Sequence, residues 1–472
     1  MLNNVLSTDT ICALATPPGG AIGVIRLSGP DTFSILSHVF SSDISNARGN
    51  TIHYGNIINP QANSEVVDEV LVSVFRAPHS YTGEDSAEVS CHGSRYILGA
   101  VMQLLLDNGA RAARPGEYTQ RAFLNGKLDL SQAEAVADLI ASTNKASHHI
   151  AMSQLKGHFS SRLSQLHDQL LHLTTLLELE LDFSDHEELE FADRTELLSL
   201  ATNINDHIMH LARSFETGQA IKNGIPVVIV GKTNAGKSTL LNQLLGEERA
   251  IVSDVHGTTR DTIEDSIDIN GISFRFIDTA GIRLTSDTVE QIGIERTYKA
   301  IDRASILVWL IDEMPSQDDV DNVLRHLGEG KKLIVALNKV DLLADTAAAE
   351  AAKSCGSAIT RLLGSAVPFS LIPISAKAGA NIIVLKQAIF DSADIPDINE
   401  SDTIVSTARH YDALMQAHSN LDRVITSMRE GISGDLIAED LRLVLDNLSE
   451  ITGAITPQDT LNNVFKHFCV GK

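Results

Sequence analysis

The stretch that decides the fold is Ile225-Pro-Val-Val-Ile-Val-Gly-Lys-Thr-Asn-Ala-Gly-Lys-Ser238, an apolar run followed directly by a glycine-rich segment. Val227–Val230 predicts a buried strand, and the apolar residues of Leu240–Leu245 predict that a helix follows. A glycine-rich loop between a strand and a helix can curl its backbone N–H groups around phosphates. The spacing of Gly231–Ser238 therefore predicts a nucleoside triphosphate site, and the strand–loop–helix context argues against an ordinary glycine turn.

Two side chains of this loop have predicted roles in binding phosphate. Lys237 would neutralise the β- and γ-phosphates, and the Ser238 hydroxyl would ligate Mg²⁺. Farther along the chain, Thr259 stands in the segment Ser253–Asp261, where its spacing suits a residue that closes on Mg²⁺ and the γ-phosphate. The loop and this segment together predict a magnesium–nucleotide site.

Three short motifs, each directly after a predicted strand, make the prediction specific. They are Asp278-Thr-Ala-Gly281, Asn338-Lys-Val-Asp341 and Ser375-Ala-Lys377. Asp278 can hold Mg²⁺ through water, and the N–H of Gly281 can contact the γ-phosphate. The Asp341 carboxylate can accept hydrogen bonds from guanine N1–H and its exocyclic amine, a donor pair that adenine lacks. Backbone N–H groups of Ser375–Lys377 would contact the guanine carbonyl, so the set predicts a GTPase.

The position after Gly281 departs from many GTPases. They carry a glutamine there to orient the attacking water, whereas this chain has Ile282. An isoleucine side chain cannot form a hydrogen bond. Another group must therefore hold the water, and the sequence identifies no arginine finger.

Composition bounds the remaining possibilities. The chain has 472 residues and a net charge of −24, with 43% apolar and 21% charged residues, as expected for about three globular domains. The apolar runs are shorter than the roughly 20 residues that span a bilayer, and the N-terminus has no basic signal-peptide region. Four widely spaced cysteines predict neither disulfides nor a zinc site, which favours a cytoplasmic location. The charge argues against non-specific nucleic-acid binding over the whole surface, although a local site remains possible.

The chain divides into four segments by pattern. Residues 1–124 predict a small α+β domain, residues 125–222 and 391–472 predict helices, and residues 223–390 alternate strands with helices. The simplest arrangement inserts a Ras-like P-loop GTPase domain with a mostly parallel sheet between two parts of a helical bundle domain. The predicted fold class is therefore multidomain α/β.

Two features of the first predicted helical segment, an apolar stripe and an acidic run, each allow two interpretations. Six apolar residues are spaced as one helical stripe: Phe159, Leu163, Leu166, Leu170, Leu173 and Leu177. This stripe favours a seam within one bundle, with a dimeric coiled coil as the second possibility. The acidic run Glu178–Asp193 favours a solvated surface over a metal site.

Beyond single motifs, the whole chain resembles a particular family. The strings that carry the resemblance are Tyr81-Thr-Gly-Glu-Asp85, Arg114-Pro-Gly-Glu-Tyr118, Arg121-Ala-Phe-Leu-Asn-Gly-Lys-Leu-Asp-Leu130, Gly257-Thr-Thr-Arg-Asp261, Asp278-Thr-Ala-Gly-Ile-Arg283, Ile292-Gly-Ile-Glu-Arg296 and Phe468-Cys-Val-Gly-Lys472. They are similar to motifs of the MnmE (TrmE) family of tRNA-modifying GTPases. The resemblance extends over the N-terminal, helical and GTPase segments and includes the C-terminus.

The resemblance implies GTP hydrolysis that is activated by K⁺ and by pairing of two G domains. It implies K⁺ ligands at Asn234, Ser253, Val255 and Thr258, with the cation supplying the charge of the missing arginine finger. It also implies that Glu290 orients the attacking water. With the motifs above, the residues predicted to contact GTP are Asn234, Ala235, Gly236, Lys237, Ser238, Thr239, Ser253, Asp254, Val255, His256, Gly257, Thr258, Thr259, Asp278, Thr279, Ala280, Gly281, Asn338, Lys339, Asp341, Ser375, Ala376 and Lys377.

The resemblance further implies a folate-binding N-terminal domain that also forms a homodimer. Its ligand would be 5-formyltetrahydrofolate or a related tetrahydrofolate, in contact with Arg26, Glu88, Lys127 and Lys472. Without the resemblance, Arg26 and Lys127 would be interpreted as surface cations. Cys469 would bring a thiol to this pocket, and the apolar residues Phe465 and Phe468 predict that the tail docks.

The implied reaction adds a carboxymethylaminomethyl-type group to C5 of the wobble uridine of certain tRNAs. The implied partner is the FAD-containing protein MnmG, in a heterotetramer or a larger complex, with no membrane involved. The main alternative is a ribosome-assembly or regulatory GTPase switch, which would need neither Cys469 nor a folate pocket. A dynamin-like assembly protein would carry amphipathic membrane-binding stretches, which the sequence does not show.

Overall fold

The structure is a computed structural model, and it describes residues 9–182, 194–246, 265–277, 302–328, 330–343, 345–363, 367–396, 402–432, 434–455, 457–466, 468 and 471. The chain forms two compact units. The first comprises Met1–Ile140, Ser153–Met209 and Asp412–Lys472, and the second comprises Ala141–Met152 and His210–Tyr411. Each unit is therefore assembled from segments that are far apart in the sequence.

A six-stranded sheet forms in the N-terminal part of the first unit. Its strands are β1 (Ile11–Leu14), β2 (Ile22–Ser28), β3 (Thr51–Asn59), β4 (Glu65–Phe75), β5 (Ser86–His92) and β6 (Arg111–Ala112). They lie in the order β3-β4-β5-β2-β1-β6, antiparallel except for the parallel pair β1–β6. Side chains alternate between the two faces of a strand, so Ile25 and Leu27 are buried on one face of β2 while Arg26 lies on the other.

Two helices, α1 (Thr32–Val39) and α2 (Arg95–Asp107), cover the face of this sheet that carries Ile25 and Leu27. Beyond β6, α3 (Glu117–Leu124) packs Tyr118 against Ile11 and Ala13 of β1, which lie on the opposite face. Leu36 of α1 and Leu98 of α2 join Val72 and Val89 of the sheet in one apolar core. The opposite face carries Arg26 and this second, smaller cluster with Tyr118.

Long helices make up most of the remainder of the first unit and part of the second, to which residues 145–152 and 210–223 belong. In chain order the helices after α3 are α4 (Leu130–Ala141), α5 (Lys145–Leu155), α6 (His158–Asp182), α7 (Arg194–Asn223), then, after the second sheet, α12 (Ala408–Glu430), α13 (Gly434–Thr452) and α14 (Gln458–Lys466). All six residues of the predicted apolar stripe lie on α6 and are buried. Helix α6 packs against α13 of the same chain, as an intramolecular bundle seam requires.

The second unit contains a mostly parallel sheet, as predicted. Its elements are β7 (Ile225–Val230), α8 (Lys237–Gly246), β8 (Asp265–Ile269), β9 (Ile272–Phe276), β10 (Ile306–Ile311), α9 (Gln317–His326), β11 (Lys332–Leu337), a 3-10 turn (Val340–Leu342), α10 (Asp345–Leu363), β12 (Phe369–Pro373) and α11 (Ile382–Ser392). The strand order is β12-β11-β10-β7-β9-β8, and β8–β9 is the antiparallel pair.

The order of this sheet locates a ligand site. Strand β7 lies between β9 and β10, so the chain builds one side of the sheet first and then crosses β7 to build the other. Open α/β sheets bind ligands outside the carboxyl ends of the strands at such a switch point. The glycine-rich segment begins where β7 ends.

No helix in the described ranges combines the length and the apolar character that crossing a bilayer would require.

Candidate functional site

The glycine-rich loop wraps around its own lysine. Lys237 Nζ donates hydrogen bonds to the carbonyl oxygens of Gly231 at 2.7 Å and Lys232 at 2.8 Å. Burial lowers the pKa of Lys237, because the charged form is separated from water. The ammonium group is thus held against the loop that would receive the phosphates, at the start of α8.

Asn338 connects the two halves of the site. This residue is only 6% exposed. Its Nδ2 donates to the carbonyl oxygen of Ala235 at 2.8 Å, and its Oδ1 accepts from the N–H of Ala376 at 2.9 Å. A Cβ atom added at Gly236, where φ is +100°, would lie 2.4 Å from Asn338 Nδ2, so only glycine fits beside this bridge. The phosphate-binding loop and the predicted base-binding segment are therefore fixed relative to each other.

The acidic residue of the base-binding segment is also oriented. Ser375 Oγ donates to Oδ1 of Asp341 at 2.6 Å and accepts from the N–H of Ala378 at 3.0 Å. Lys339 adopts a left-handed φ of +64°, and its Nζ lies 2.5 Å from Oδ2 of Asp312. The Asp341 side chain is exposed and can accept donors from a ligand with a fixed carboxylate orientation.

Twelve predicted residues of this site lie outside the described residues. They are Ser253, Asp254, Val255, His256, Gly257, Thr258, Thr259, Asp278, Thr279, Ala280, Gly281 and Glu290. The same holds for Cys469 and Lys472 at the C-terminus. Their roles stay predictions.

A second group of predicted residues meets on the N-terminal sheet. Arg26 of β2 lies opposite Glu88 of β5 in the strand register. Its Nε and Nη2 atoms donate to Glu88 Oε1 at 2.9 Å and 2.7 Å, and its Nη1 donates to the carbonyl oxygen of Gly471 at 3.3 Å. The sheet and the C-terminal tail thus converge on one guanidinium group.

The C-terminal tail docks, as its apolar residues predicted. Phe465 and Phe468 are buried in a cluster with Leu130 of α4. Gly116 adopts φ +67° where α3 begins, and a Cβ atom there would lie 2.7 Å from the carbonyl oxygen of Phe465. The tail therefore packs against backbone that has no room for a side chain.

Lys127 lies against the loop that precedes β5. Its Nζ donates to the carbonyl oxygen of Pro78 at 2.9 Å, and its Cγ and Cδ would lie 3.4 Å from a Cβ atom at Gly83. The side chain is exposed, so its charge is accessible from solvent.

Two tyrosines beside Arg26 were not predicted as site residues. The Arg26 Cζ atom lies 5.8 Å from the ring centroid of Tyr81 and 5.6 Å from that of Tyr118. Tyr118 is buried and donates from its hydroxyl to the carbonyl oxygen of Arg26 at 2.8 Å. Tyr81 stands in one of the strings that carry the family resemblance, which is the only signal in the sequence that points to it.

A buried charge network lies behind this group. Arg121, with a side chain only 5% exposed, contacts Glu84, Asp9 and Glu117 at 3.1, 2.8 and 3.3 Å. Arg111 Nη2 donates to Glu117 Oε1 at 2.5 Å. Two arginines thus face three carboxylates, and no residue pattern indicated that these five side chains come together.

Acid should weaken this network in a defined pH range. Burial alone would raise the pKa of Glu117, but hydrogen bonds from Arg111 and Arg114 lower it to about 2, against an ordinary value of 4.5. Because the folded-state pKa is depressed, the stabilisation is fully present above pH 4.5 and is lost as the pH falls from 4.5 towards 2. The shift corresponds to about 3 kcal/mol.

The check is the stability of the N-terminal domain between pH 7 and pH 3, measured by hydrogen exchange in the wild type and in Glu117→Gln. We expect the stability gap between the two proteins to be widest at neutral pH and to narrow as the pH falls below 4.5. Two curves that run parallel over the whole range would contradict the assignment to Glu117.

The second sheet and its loops define a class of protein. The predicted phosphate-binding loop at the switch strand is bridged by Asn338 to the segment after β12, and Ser375 orients the carboxylate of Asp341. With the order of the motifs along a mostly parallel sheet, this arrangement is that of a Ras-like P-loop GTPase.

Comparison with known proteins identifies the family. A family model described as "GTP-binding protein TrmE N-terminus" matches residues 10–127, and one described as "MnmE helical domain" matches residues 130–469. The tRNA modification GTPases MnmE of Phocaeicola vulgatus and Bacteroides fragilis are 50% and 51% identical over 99% of this chain and all of their own length. That of Cytophaga hutchinsonii is 47% identical over 98% of both chains. The chain belongs to the MnmE family of tRNA modification GTPases, and the resemblance seen in the sequence is confirmed.

Proposed function

We propose that the protein is a potassium-activated GTPase that acts with the FAD-dependent protein MnmG on certain tRNAs. Together they would add a carboxymethylaminomethyl-type group to C5 of the wobble uridine, using a one-carbon unit from a tetrahydrofolate. The observation that carries the proposal is family membership over nearly the whole chain. The geometry of both candidate sites adds to it.

The GTP proposal rests on complementary charges and on orientation. Lys237 supplies a cation at the phosphate-binding loop, and Asp341 supplies an oriented acceptor for the guanine donors. Mg²⁺ prefers hydroxyl and carboxylate oxygens, so the Ser238 hydroxyl at the start of α8 fits a magnesium ligand, with Thr259 as the proposed second one. When bound, the ion neutralises charge on the phosphates.

The potassium proposal rests on Asn234. This residue adopts a left-handed φ of +65° in the phosphate-binding loop, a conformation that asparagine tolerates better than most residues. Its amide oxygen suits a monovalent cation, with Ser253, Val255 and Thr258 as the other proposed ligands. The cation would supply positive charge where other GTPases use an arginine finger. Glu290 is the proposed water-orienting residue.

The folate proposal rests on the charges around Arg26. Cations at Arg26, Lys127 and Lys472 suit the carboxylates of a tetrahydrofolate, and Glu88 suits the amino groups of its pterin ring. The docked tail brings Gly471 to Arg26. Cys469 is two residues from Gly471, which supports a role for its thiol at this cleft.

The homodimer proposal rests on an apolar surface of the N-terminal sheet. Ile52 and Tyr54 of the edge strand β3 are 67% and 65% exposed. Leu71, which lies opposite Tyr54 on the neighbouring strand β4, is 47% exposed. Neighbouring exposed apolar side chains on an edge strand favour association with another chain. Binding of MnmG and a cytoplasmic location are further parts of the proposal. With a net charge of −24, tRNA binding would be confined to a local surface.

The proposed function is tested by reconstituting the complete reaction and by leaving out one component at a time. The full chain, MnmG, GTP, Mg²⁺, a tetrahydrofolate one-carbon donor and unmodified tRNA are mixed in KCl or NaCl. Phosphate release and the mass of the wobble nucleoside are then measured. We expect modification only in the complete mixture, with hydrolysis about tenfold faster or more in K⁺. Cys469→Ser should lose modification and keep hydrolysis.

Each part of the proposal has a result that would contradict it. Equal hydrolysis in K⁺ and Na⁺ would remove the cation assignment. Modification without folate would remove the folate role of the N-terminal domain, and modification by Cys469→Ser would remove the role of that thiol. Hydrolysis without any modification in the complete mixture would instead favour the regulatory GTPase switch.

A further inference from the structure

A cavity of about 240 Å³ lies in the second unit, between the phosphate-binding loop and helix α9. Its apolar walls are formed by Val230 at the end of β7, Trp309 and Ile311 of β10, Pro315 before α9 and Val323 within α9. Pockets for drug-sized ligands occupy roughly 300–1,000 Å³, so this cavity suits a smaller molecule, such as a single ring. None of its lining residues is among those predicted to contact GTP.

The polar residues around this cavity are mainly acidic. The Nζ atom of Lys232 lies 2.9 Å from Oε1 of Glu313 and 3.1 Å from Oδ2 of Asp319. Asp312, the third carboxylate, binds Nζ of Lys339. Lys232 is the one cation among the described residues that line the cavity, against three carboxylates. A positively charged ligand is therefore favoured over a neutral or an anionic one.

Asp319 is the best anchored of the carboxylates that face Lys232. Its Oδ2 accepts hydrogen bonds from the Ser316 hydroxyl at 2.7 Å and from the Ser316 backbone N–H at 2.9 Å. Its side chain is 23% exposed, whereas those of Glu313 and Lys232 are 67% and 49% exposed. Because the lysine has a flexible stem, its ammonium group can return to water when another cation takes its place beside Asp319.

The same cavity touches the backbone that holds the phosphate-binding lysine. Gly231 and Lys232 both line the cavity. Their carbonyl oxygens accept the hydrogen bonds from Lys237 Nζ, at 2.7 Å and 2.8 Å. A ligand that displaces the Lys232 side chain therefore acts on the loop segment that positions the Lys237 ammonium group.

We propose that this cavity is a second ligand site of the GTPase domain, which binds a small apolar molecule that carries a protonated amine. The apolar part of the ligand packs beside Trp309, and its ammonium group binds Asp319 and Glu313 in place of Lys232. Binding there is coupled to nucleotide binding through the backbone of Gly231 and Lys232. Such coupling is reciprocal, so each ligand changes the affinity of the other by the same factor.

The binding test uses the fluorescence of Trp309, which is the only tryptophan in the chain. The probes for the full chain are benzylamine and benzyl alcohol, which share one ring and differ in charge. We expect a saturable change with benzylamine, with a Kd on the order of 1 mM. Benzyl alcohol should bind about fivefold more weakly, because it cannot form the ion pair. A change that does not saturate, or equal affinities for the two probes, would overturn the proposal.

Asp319→Asn tests the ion pair without removing the acceptor for Ser316. It should weaken benzylamine binding about fivefold and leave benzyl alcohol within about twofold, which also shows that the cavity is intact. Asp318→Asn is the matched control, because Asp318 lies in the same first turn of α9 but does not line the cavity. Equal losses of benzylamine affinity in the two variants would mean that only the general surface charge matters, which would overturn the proposal.

Val323→Met tests the location of the ligand, since a longer side chain at this position takes up space in the cavity. Both probes should bind about tenfold more weakly to this variant, because inserting atoms into a filled site forces a clash. Unchanged binding of both probes to Val323→Met would place them elsewhere and overturn the assignment of the site.

The coupling is measured with a fluorescent, non-hydrolysable GTP analogue, at constant KCl concentration and ionic strength. Saturating benzylamine should change the Kd of the analogue about threefold or more, and the bound analogue should change the Kd of benzylamine by the same factor. Asp319→Asn should need correspondingly more benzylamine for the same effect. A Kd of the analogue that benzylamine leaves unchanged would overturn the coupling.

Discussion

Replacing Asp341 with asparagine is expected to weaken GTP binding about a thousandfold, which corresponds to roughly 4 kcal/mol. The carboxylate would accept from two guanine donors, and Ser375 Oγ already fixes its orientation. An amide offers one acceptor and places a donor against the second guanine donor, so one favourable contact becomes an unfavourable one. The loss should be in affinity, measured by titration with a fluorescent guanine nucleotide.

A nucleotide whose base is complementary to asparagine shows whether the Asp341→Asn variant has changed its base preference or has lost its binding site altogether. Xanthosine triphosphate has a carbonyl where guanine has its exocyclic amine, so the asparagine variant should prefer it to GTP. Ser375→Ala is the matched control, because it removes only the hydroxyl that orients the carboxylate, and about a fivefold loss is expected. Two results would contradict the role of Asp341 in recognising the base. In one, Asp341→Asn binds GTP with the affinity of the wild type; in the other, its affinities for GTP and for xanthosine triphosphate fall equally.

Replacing Arg121 with methionine should destabilise the N-terminal domain by about 3–5 kcal/mol. Methionine retains apolar bulk but leaves Glu84, Asp9 and Glu117 with less neutralising charge, and the Glu117 side chain is only 3% exposed. A buried charge without its partner is costly because neither water nor a counterion replaces the lost contact. Hydrogen exchange in peptides covering β5 measures the effect on this domain, separately from the GTPase domain.

Arg114→Met is the matched control for this change. Arg114 contacts the same Glu117, at 3.4 Å, but its side chain is 69% exposed. Exposed ion pairs contribute up to about 1 kcal/mol, so this variant should change exchange little. Similar effects of the two substitutions would mean that burial does not control the strength of the network.

The second sheet was largely predictable because its strands are apolar runs. Ile306–Ile311 is buried at every position. The strand predicted at Val227–Val230 and the strands predicted directly before the three motifs lie within a few residues of β7, β9, β11 and β12. Strand β8 was missed. Its sequence, Asp265-Ser-Ile-Asp-Ile269, buries only alternate residues because the strand lies at the sheet edge. So short a polar alternation does not separate a strand from a turn.

The group of residues around Arg26 on the N-terminal sheet was predictable only through resemblance. Arg26 and Glu88 come from strands that are far apart in the chain, and the β2–β5 register that brings them together is a tertiary property. The contacts of Tyr81 and Arg121 are likewise invisible in the sequence, because neither residue type nor spacing tells which partner it meets. Residue patterns indicate elements, whereas such sites depend on how the elements pair.

The docked tail has a practical consequence for handling the protein. Gly471 adopts φ +99°, and a Cβ atom there would lie 2.3 Å from the carbonyl oxygen of Leu14. An affinity tag fused after Lys472 would therefore begin two residues beyond Gly471, whose backbone contacts β1 and the Arg26 guanidinium. Purification handles and fluorescent reporters are better placed in an exposed loop, such as the turn between β3 and β4 around Gln61.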